Sequence, residues 1–447
     1  MKKLAITIVL FLALSATSWA QNDMKMSLDQ AIQYSIENNM QVKISKNNIN
    51  DADQQILERR AIGLPRLDAD VSYNYFAIIP TTVLPPEFGL DPATGKPNPD
   101  FDRSVQFGVA NNLTGGLNFS SLLFDGSYSV GLRAAKLFKE YVKEDLKAKQ
   151  YDARQKAIIA YMPVVMINNG MNTLDKNIKN LEKLLVEVTA IQKAGFSEEL
   201  DVDRLKLSLA NLKTERNNLD RQKEMALNYL KFSINYPVEK ELDVTDDLTT
   251  ISAAVDATAI EGDLNYNARP EYAVINTGLK LSELNVKLYQ AGYLPSLVGF
   301  ANYQYSFLGQ NLFGNDVVMA PTAIIGGKLS IPIFDGFEKK AKIQRARIQL
   351  MNALDQKTLF EQGVNLEVIN ARKSYLSAQE KLVSQKENLK LAEKIYRTTQ
   401  EKYKQGVGSS IEISQAEQEL YSTQQNIDQA LFDLIQAKLN LDKALGK

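Results

Sequence analysis

The chain has 447 residues, with 52 lysines and arginines against 53 aspartates and glutamates. This balance gives no support to nucleic-acid binding, which requires a basic excess or a basic stripe. The sequence contains no cysteine and no histidine, and it therefore excludes disulfides, zinc fingers, thiol nucleophiles and histidine-based catalytic triads.

Residues 1–20 are typical of a secretory signal peptide. Lys2 and Lys3 precede a short apolar segment, and the small residues Ser18 and Ala20 occupy the two positions that a signal peptidase reads. The apolar segment is short for a retained anchor, and no cysteine follows it that could carry a lipid. No later segment supplies the roughly 20 consecutive apolar residues of a membrane-spanning helix. We therefore predict an exported protein that is cleaved after Ala20 and is not a lipoprotein.

The first long strand is predicted directly after Pro65, where polar and apolar residues alternate. Successive side chains of a strand point to opposite faces, so this pattern predicts a strand with two different faces. The apolar face carries Ala69, Val71, Tyr73 and Tyr75, and the polar face carries Asp68, Asp70, Ser72 and Asn74. Residues 77–106 follow with six prolines and two glycines, which predict an irregular, exposed loop.

A second strand is predicted to end at Phe124-Asp125-Gly126, and a very long helix is predicted from Ser127 to about Ala194. A helix of that length extends about 100 Å at 1.5 Å per residue. Pro163 lies inside it and removes a backbone donor, so we predict a kink or break near that residue. Gly195 predicts a sharp turn, after which a second helix returns along the first.

The same order of elements then recurs. Phe334-Asp335-Gly336 repeats the earlier tripeptide at an offset of 210 residues, and Tyr293-Leu294-Pro295 repeats Gly63-Leu64-Pro65. A second long helix is predicted from about Phe337 to Gln405, with a glycine turn at Gly406 and Gly408. We therefore divide the chain into a signal peptide (1–20), a first structural repeat (21–231), a linker segment (232–268) and a second structural repeat (269–447).

The four long strands leave two interpretations open. One is a soluble antiparallel sheet with a single face on a core. The other is part of a membrane barrel, favoured by strands of about ten residues with tyrosines near their ends. Four strands cannot close a barrel, and an open edge cannot lie in lipid. A membrane barrel therefore requires several copies of the chain, and three copies give twelve strands.

With these elements in place, the sequence resembles the TolC-type outer-membrane efflux proteins over essentially the whole mature chain. The resemblance is carried by Leu-Pro before each first strand, Phe-Asp-Gly after each second strand, the glycine tip turns and the segment Asn267-Ala268-Arg269-Pro270-Glu271. It implies an internally duplicated α+β membrane protein. The expected assembly is a homotrimer with a twelve-stranded antiparallel β-barrel, four strands per chain, continued by a long α-helical coiled-coil barrel.

The resemblance also implies partners and a place in the cell. The expected protein lies in the outer membrane of a Gram-negative bacterium, contacts outer-membrane lipid and extends into the periplasm. There it meets a periplasmic adaptor (membrane fusion) protein and an inner-membrane pump of the RND or ABC type. It conducts substrates passively as the exit duct of a tripartite efflux or type I secretion system, with no enzymatic activity, no cofactor and no metal site. Residues 232–268 and the C-terminal residues would form a belt around the middle of the duct.

Candidate gate residues follow from the resemblance one position at a time. Asp201 and Tyr403 match an aspartate and a tyrosine in contact at the closed tip, and Glu412 matches an acidic ring at the constriction. The chain departs from the family pattern at two positions. Gly408 stands where the family has an arginine, and Gln415 stands where it has a second acidic residue. The tip turns, where the adaptor is expected to bind, comprise Gly195, Phe196, Gly406, Val407 and Gly408. The strand–helix junctions comprise Phe124, Asp125, Gly126, Phe334, Asp335 and Gly336.

Two other classes of function remain open at this level. The chain is alternatively a non-channel periplasmic or secreted coiled-coil structural protein whose strands form a soluble sheet. An enzyme is less favoured, because the scattered carboxylates form no pocket-like cluster in the sequence. The sequence does not identify the exported substrate or the class of pump.

Overall fold

The computed structural model describes residues 24–85, 95, 104–106, 108–195, 197–253, 264–311, 314, 317–405 and 407–446. The predicted signal peptide, most of loop 77–106, and the tip residues Phe196 and Gly406 lie outside this part of the chain. The described residues form two compact units, each built from both halves of the sequence. The first unit draws on Met1–Asn50, Tyr141–Thr277 and Leu354–Lys447, and the second on Asp51–Glu140 and Gly278–Ala353.

The elements are numbered here in chain order. The strands are β1 (Met24–Met26), β2 (Arg66–Tyr75), β3 (Thr81–Val83), β4 (Ser104–Gln106), β5 (Asn111–Asp125), β6 (Leu242–Val244), β7 (Ser296–Gly309) and β8 (Val318–Ser330). The helices are α1 (Leu28–Asn38), α2 (Met40–Ala61), α3 (Gly126–Lys193), α4 (Glu199–Ile234), α5 (Leu248–Ala253), α6 (Pro270–Ala291), α7 (Glu338–Lys404) and α8 (Ser410–Leu445).

The second unit contains a four-stranded sheet in the order β2-β5-β7-β8, with every neighbouring pair antiparallel. The register places polar residues of β2, β5 and β7 opposite one another, because Asp68, Asn118 and Asn302 are neighbours on one face. Leu117 and Tyr303 are opposed on the other face. The alternation read from the sequence thus continues from β2 into β5 and the middle of β7, whereas Ile324 of β8 lies opposite Asn302 on the polar face.

The apolar face of this sheet is not covered by a core. Val71 is 78% exposed and Ile325 is 87% exposed, and Tyr75, Leu117 and Tyr303 are exposed as well. A soluble two-layer protein would bury such side chains, because each buried large apolar side chain contributes about 1.5–3 kcal/mol. Among the residues that the structure describes, strands β2 and β8 also have one neighbour each, so both edges of the sheet are open there.

The first Phe-Asp-Gly connects β5 directly to α3, as predicted. Asp125 is the last residue of β5, and its Oδ1 accepts the backbone N–H of Tyr128 at 2.8 Å. This bond satisfies one of the free donors at the start of a helix. Gly126 packs so closely that a Cβ there would lie 2.4 Å from Leu294 Cδ1. Glycine is therefore required by close packing at this junction.

The second Phe-Asp-Gly does not end its strand, and this part of the prediction was wrong. Strand β8 ends at Ser330, before Pro332, whose ring removes the N–H that a continuing ladder needs. Asp335 still serves the next helix, because its Oδ2 accepts the backbone N–H of Lys339 at 3.0 Å. Here Gly336 has φ +64° and open space around it, so its glycine is required by backbone conformation instead.

The two predicted helical hairpins are present, and each pairs a long helix with a shorter one. Helix α3 has 68 residues and α7 has 67, and α4 and α8 have 36 each. No described helix combines the length and the apolar composition that crossing a bilayer demands.

Helix α3 continues through Pro163 without interruption, so it is not broken there, and a kink stays a prediction. Tyr161, Met162, Val164 and Val165 around it are all fully buried. Their burial contributes about 1.5–3 kcal/mol each, and together they outweigh the roughly 3 kcal/mol that a proline costs inside a helix. The tertiary core therefore overrides the local helix breaker.

The segment Asn267–Glu271 links the linker segment to the C-terminus of α8. The buried guanidinium of Arg269 donates to Glu367 Oε2 at 2.6 Å, to the carbonyl oxygen of Lys443 at 3.1 Å and to that of Ala444 at 3.2 Å. The last carbonyls of a helix lack intrahelical donors and carry partial negative charge, so a cation stabilises them. Pro270 opens α6, where its missing N–H costs nothing.

Candidate functional site

The tips of the two helical hairpins belong to the first unit and contain most of the sequence-predicted site residues. At the first tip, α3 ends at Lys193, and Gly195 has φ +85°, a conformation that side chains with a Cβ rarely adopt. The N–H of Gly195 donates to the carbonyl oxygen of Gln192 at 2.9 Å. This turn directs the chain back into α4.

The second tip is tighter at the position where the family pattern has an arginine. The N–H of Val407 donates to the carbonyl oxygen of Lys402 at 3.1 Å, and the Val407 side chain is 75% exposed. A Cβ added to Gly408 would lie 3.0 Å from the backbone nitrogen of Tyr403 and 3.2 Å from the carbonyl carbon of Lys402. Any side chain at residue 408 therefore requires the turn to move.

Asp201 and Tyr403 lie on opposite sides of one hydroxyl group. The Ser197 hydroxyl donates to Asp201 Oδ2 at 2.8 Å, and it lies 3.4 Å from the Tyr403 hydroxyl oxygen. Ser197 and Asp201 belong to the first hairpin and Tyr403 to the second. The structure thus brings the two predicted gate residues together through Ser197, which the sequence did not single out.

The charge state of Asp201 is fixed by its neighbours. Burial acts to raise its pKa, but hydrogen bonds from Ser410 and Ser197 and the positive charge of Arg204 outweigh burial, so the pKa of Asp201 lies below its ordinary value. Burial also raises the pKa of Tyr403, helped by the Asp201 charge and opposed by the bond to Ser197. At neutral pH the site therefore pairs a carboxylate with a protonated phenol.

Glu412 lies in the first turn of α8, away from these hydrogen bonds. Its backbone N–H donates to Ser409 Oγ at 3.2 Å, which caps the helix, while its side chain is exposed. Gln415, one turn further on, is exposed too. Glu412 is therefore available to solvent at the tip.

Arg204 and Ser410 are two further members of the site that the sequence analysis missed. Arg204 Nη1 donates to Ser410 Oγ at 3.2 Å, and Ser410 is only 7% exposed. Ser409 and Glu412 form a recognisable N-cap pattern, so the start of α8 could have been read from the sequence. The contact itself could not, because its partners are 206 residues apart.

An apolar core supports these polar contacts. Leu181, Leu184 and Val188 of α3, Val202 and Leu205 of α4, and Ile413 of α8 form one buried cluster. A cavity of about 870 Å³ lies beside the polar contacts, lined by residues that include Gly195, Asp201, Tyr403 and Gly408. The tip therefore has a packed interior and an open polar surface on which two hairpins meet.

Comparison with known proteins places this geometry in a family context. Residues 267–447 match the family model described as outer membrane efflux protein. The solvent efflux pump outer membrane protein SrpC of Pseudomonas putida is 26% identical over 261 residues, which cover 57% of this chain and 53% of SrpC. The chain thus spans about half the length of this curated relative.

The solved structures cover more of the chain. One is a crystal structure of CusC, whose description concerns folding and transmembrane channel formation. It aligns with a TM-score of 0.75 at 16% identity, over 96% of this chain and 94% of CusC. The open state of the MtrE outer membrane channel of Neisseria gonorrhoeae aligns with a TM-score of 0.70 at 17% identity, over 96% of this chain and 93% of MtrE. The chain therefore carries the outer membrane efflux protein domain in its second half and the fold of outer membrane channels along nearly its whole length, which confirms its resemblance to the TolC-type family.

Proposed function

We propose that the chain is one subunit of a homotrimeric outer-membrane exit duct that conducts substrates passively to the exterior. The duct receives them from a periplasmic adaptor and an inner-membrane pump of the RND or ABC type, in a tripartite efflux or type I secretion system. The names of the relatives support this role, since SrpC is an outer membrane protein of a solvent efflux pump. The role requires no catalytic group and no cofactor in this chain.

The observation that carries the proposal is the four-stranded sheet with two open edges and two different faces. An apolar face that no core covers is suited to lipid, and the polar face is suited to a water-filled lumen. Open edges are not tolerated in a bilayer, so the edges need partners. Another copy of the same chain can supply those partners, because its own edge strands are free to pair.

The strand directions support closure by identical copies. Neighbouring strands of the sheet are antiparallel throughout, so the first strand β2 and the fourth strand β8 run in opposite directions. Pairing β8 of one copy with β2 of the next therefore continues the antiparallel alternation. Three copies give twelve strands, an even number as in bacterial barrels of this type.

The hairpin tips are proposed as the periplasmic gate and the adaptor-binding end. Asp201 and Tyr403 would hold the tip closed through Ser197, and three copies of the exposed Glu412 would place an acidic ring at the opening. Repulsion among three carboxylates and attraction of cations follow from that arrangement. The turns at Gly195–Phe196 and Gly406–Gly408 would contact the adaptor.

The remaining sequence predictions are kept as part of this proposal. The chain is exported with a signal peptide cleaved after Ala20, without lipid attachment, and it resides in a Gram-negative outer membrane. Its two repeats comprise residues 21–231 and 269–447, with the linker segment 232–268 between them.

Two measurements test the proposal. The protein purified from outer membranes should require detergent, have the mass of three chains and form channels in planar lipid bilayers. A monomer that stays in solution in plain buffer would instead support the coiled-coil structural protein. Replacing both Asp201 and Tyr403 with alanine should raise the single-channel conductance, and unchanged conductance would show that these residues do not hold the closed state.

A further inference from the structure

The polar contacts near the tips fall into two groups. Some lie within one hairpin, such as Arg216 of α4 with Asp175 of α3 at 3.4 Å. Others join the two hairpins, and these include Lys404 of α7 with Glu187 of α3 at 2.8 Å. The contact of Arg204 in α4 with Ser410 in α8 belongs to the second group. Only contacts of the second group must break if the hairpins separate.

Arg204 differs from the cross-hairpin ion pair of Lys404 and Glu187 because its partner is a buried hydroxyl group. The hydroxyl that it contacts belongs to the buried Ser410, the first residue of α8. The contact pairs a charged donor with a buried hydroxyl, and charge-assisted hydrogen bonds of this kind are stronger than neutral ones. The positive charge of Arg204 also acts to lower the pKa of Asp201.

The second tip is tight at Gly408, the position where the family pattern has an arginine. A side chain at that position would meet the backbone of Lys402 and Tyr403. The positive charge that neutralises Asp201 therefore comes from α4, one turn after Asp201 itself. Arg204 is spaced three residues from Asp201, which places both side chains on the same face of the helix.

We propose that Arg204 is the positioning residue of the closed tip: it ties the first turn of α8 to α4 through Ser410 and so holds the Asp201–Ser197–Tyr403 contact in place. This inference rests on the proposed duct function and names the residue that stabilises its closed state. Arg204 acts through Ser410 and Asp201 and does not itself contact Tyr403 by a hydrogen bond within the described residues. Opening of the tip requires the Arg204–Ser410 bond to break.

The test compares two arginines of the same helix in the full-length protein. Arg204→Gln removes the cross-hairpin charge, and Arg216→Gln is the matched control, because Arg216 pairs only within its own hairpin and its own helix among the ion pairs of the described residues. In planar bilayers we expect Arg204→Gln to raise the open probability about 2- to 10-fold, as loss of one charge-assisted bond predicts. Arg216→Gln should leave it within error of the wild type.

A double-mutant cycle distinguishes a latch from a general loss of structure. Ser410→Ala should raise the open probability as Arg204→Gln does, and adding Arg204→Gln to Ser410→Ala should change it little further, because both remove the same contact. Two outcomes would overturn the inference and leave the proposed function standing. One is that the effects of Ser410→Ala and Arg204→Gln are additive. The other is that Arg204→Gln gates like the wild type while the double variant Asp201→Ala with Tyr403→Ala opens the channel. A wild-type protein that forms no channel would overturn the proposed function itself.

Discussion

The two glycines of the repeated Phe-Asp-Gly give a prediction in which one motif responds in two opposite ways. At Gly126 a Cβ would lie 2.4 Å from Leu294 Cδ1, 2.9 Å from Leu294 Cβ and 3.0 Å from the carbonyl oxygen of Ala291. At Gly336 a Cβ would meet nothing within 4 Å, but φ is +64°. The first glycine is limited by space and the second by backbone conformation.

These geometries set different magnitudes. Carbon atoms in good contact are about 3.5–4.0 Å apart, so Gly126→Ala pushes Leu294 by about 1 Å and the Ala291 carbonyl oxygen, at 3.0 Å, by a few tenths of an ångström. Overpacking of this kind costs about 1–3 kcal/mol, and we expect the upper part of that range because a backbone atom is involved. Gly336→Ala costs about 1 kcal/mol, the usual penalty of a left-handed conformation.

Asparagine separates the two causes. It tolerates the left-handed region better than alanine does, so Gly336→Asn should destabilise less than Gly336→Ala. At Gly126 the larger asparagine should destabilise more than alanine. The rank order of the two substitutions therefore reverses between the two copies of the motif.

The measurement is the midpoint of thermal unfolding of the detergent-solubilised protein, followed by circular dichroism at one scan rate, since unfolding of large proteins is often irreversible. Leu294→Ala supplies a second check, because it removes the atom at 2.4 Å and should reduce the cost of Gly126→Ala. The same rank order at both glycines, or no effect of Leu294→Ala on Gly126→Ala, would refute the assignment of the two causes.

Two further predictions concern the helical unit. Burial raises the pKa of Asp428 to about 6, against the hydrogen bond from Asn169, so its stabilising protonated form is fully populated below about pH 4 and is lost as the pH rises through about 6. Asp428→Asn should therefore raise the unfolding midpoint by an amount that grows from pH 4 to pH 7. The gain in the free energy of unfolding should reach about 1–2 kcal/mol, after discounting for partial exposure of the side chain. A gain that shrinks with rising pH would contradict this. Arg269→Met should lower the free energy of chemical unfolding by about 2–4 kcal/mol, because it leaves Glu367 and the carbonyls of Lys443 and Ala444 without their donor. Adding Glu367→Gln should not restore the stability. Full restoration would mean that the ion pair alone matters.

The features that the sequence predicted correctly depend on neighbours along the chain. The two-faced strands follow from a period of two residues, and the tip at Gly195 follows from a local backbone requirement. Pro163 stays inside a continuous helix because tertiary packing buries the side chains around it. The early end of β8 at Ser330 has a local cause instead, because Pro332 cannot donate to a continuing ladder.

Pairings between distant residues were not predictable from one sequence. Strands β1 and β6 have three residues each and pair in parallel, with Met24 opposite Leu242. Segments so short carry no period that could be recognised. The same limit applies to Arg204 and Ser410, since an arginine on a helix and a serine after a turn are both ordinary surface residues until the fold brings them together.

Several large apolar side chains at the end of β8 and just after it are exposed. Ile333 is 94% exposed and Phe334 is 76% exposed, and Leu329, Ile331 and Phe337 are exposed beside them. In the first copy of the motif the corresponding Phe124 lies within the inner strand β5, where it pairs with Leu297 of β7, and it is less exposed. Exposed apolar side chains therefore continue from the edge strand β8 into the segment that follows it. Exposed apolar patches of this kind mark interaction sites, and an edge strand with free backbone groups marks a pairing site. Because both features coincide at β8, strand pairing with β2 of a second copy would satisfy the backbone and cover the side chains in one step, which supports assembly of the barrel from identical subunits.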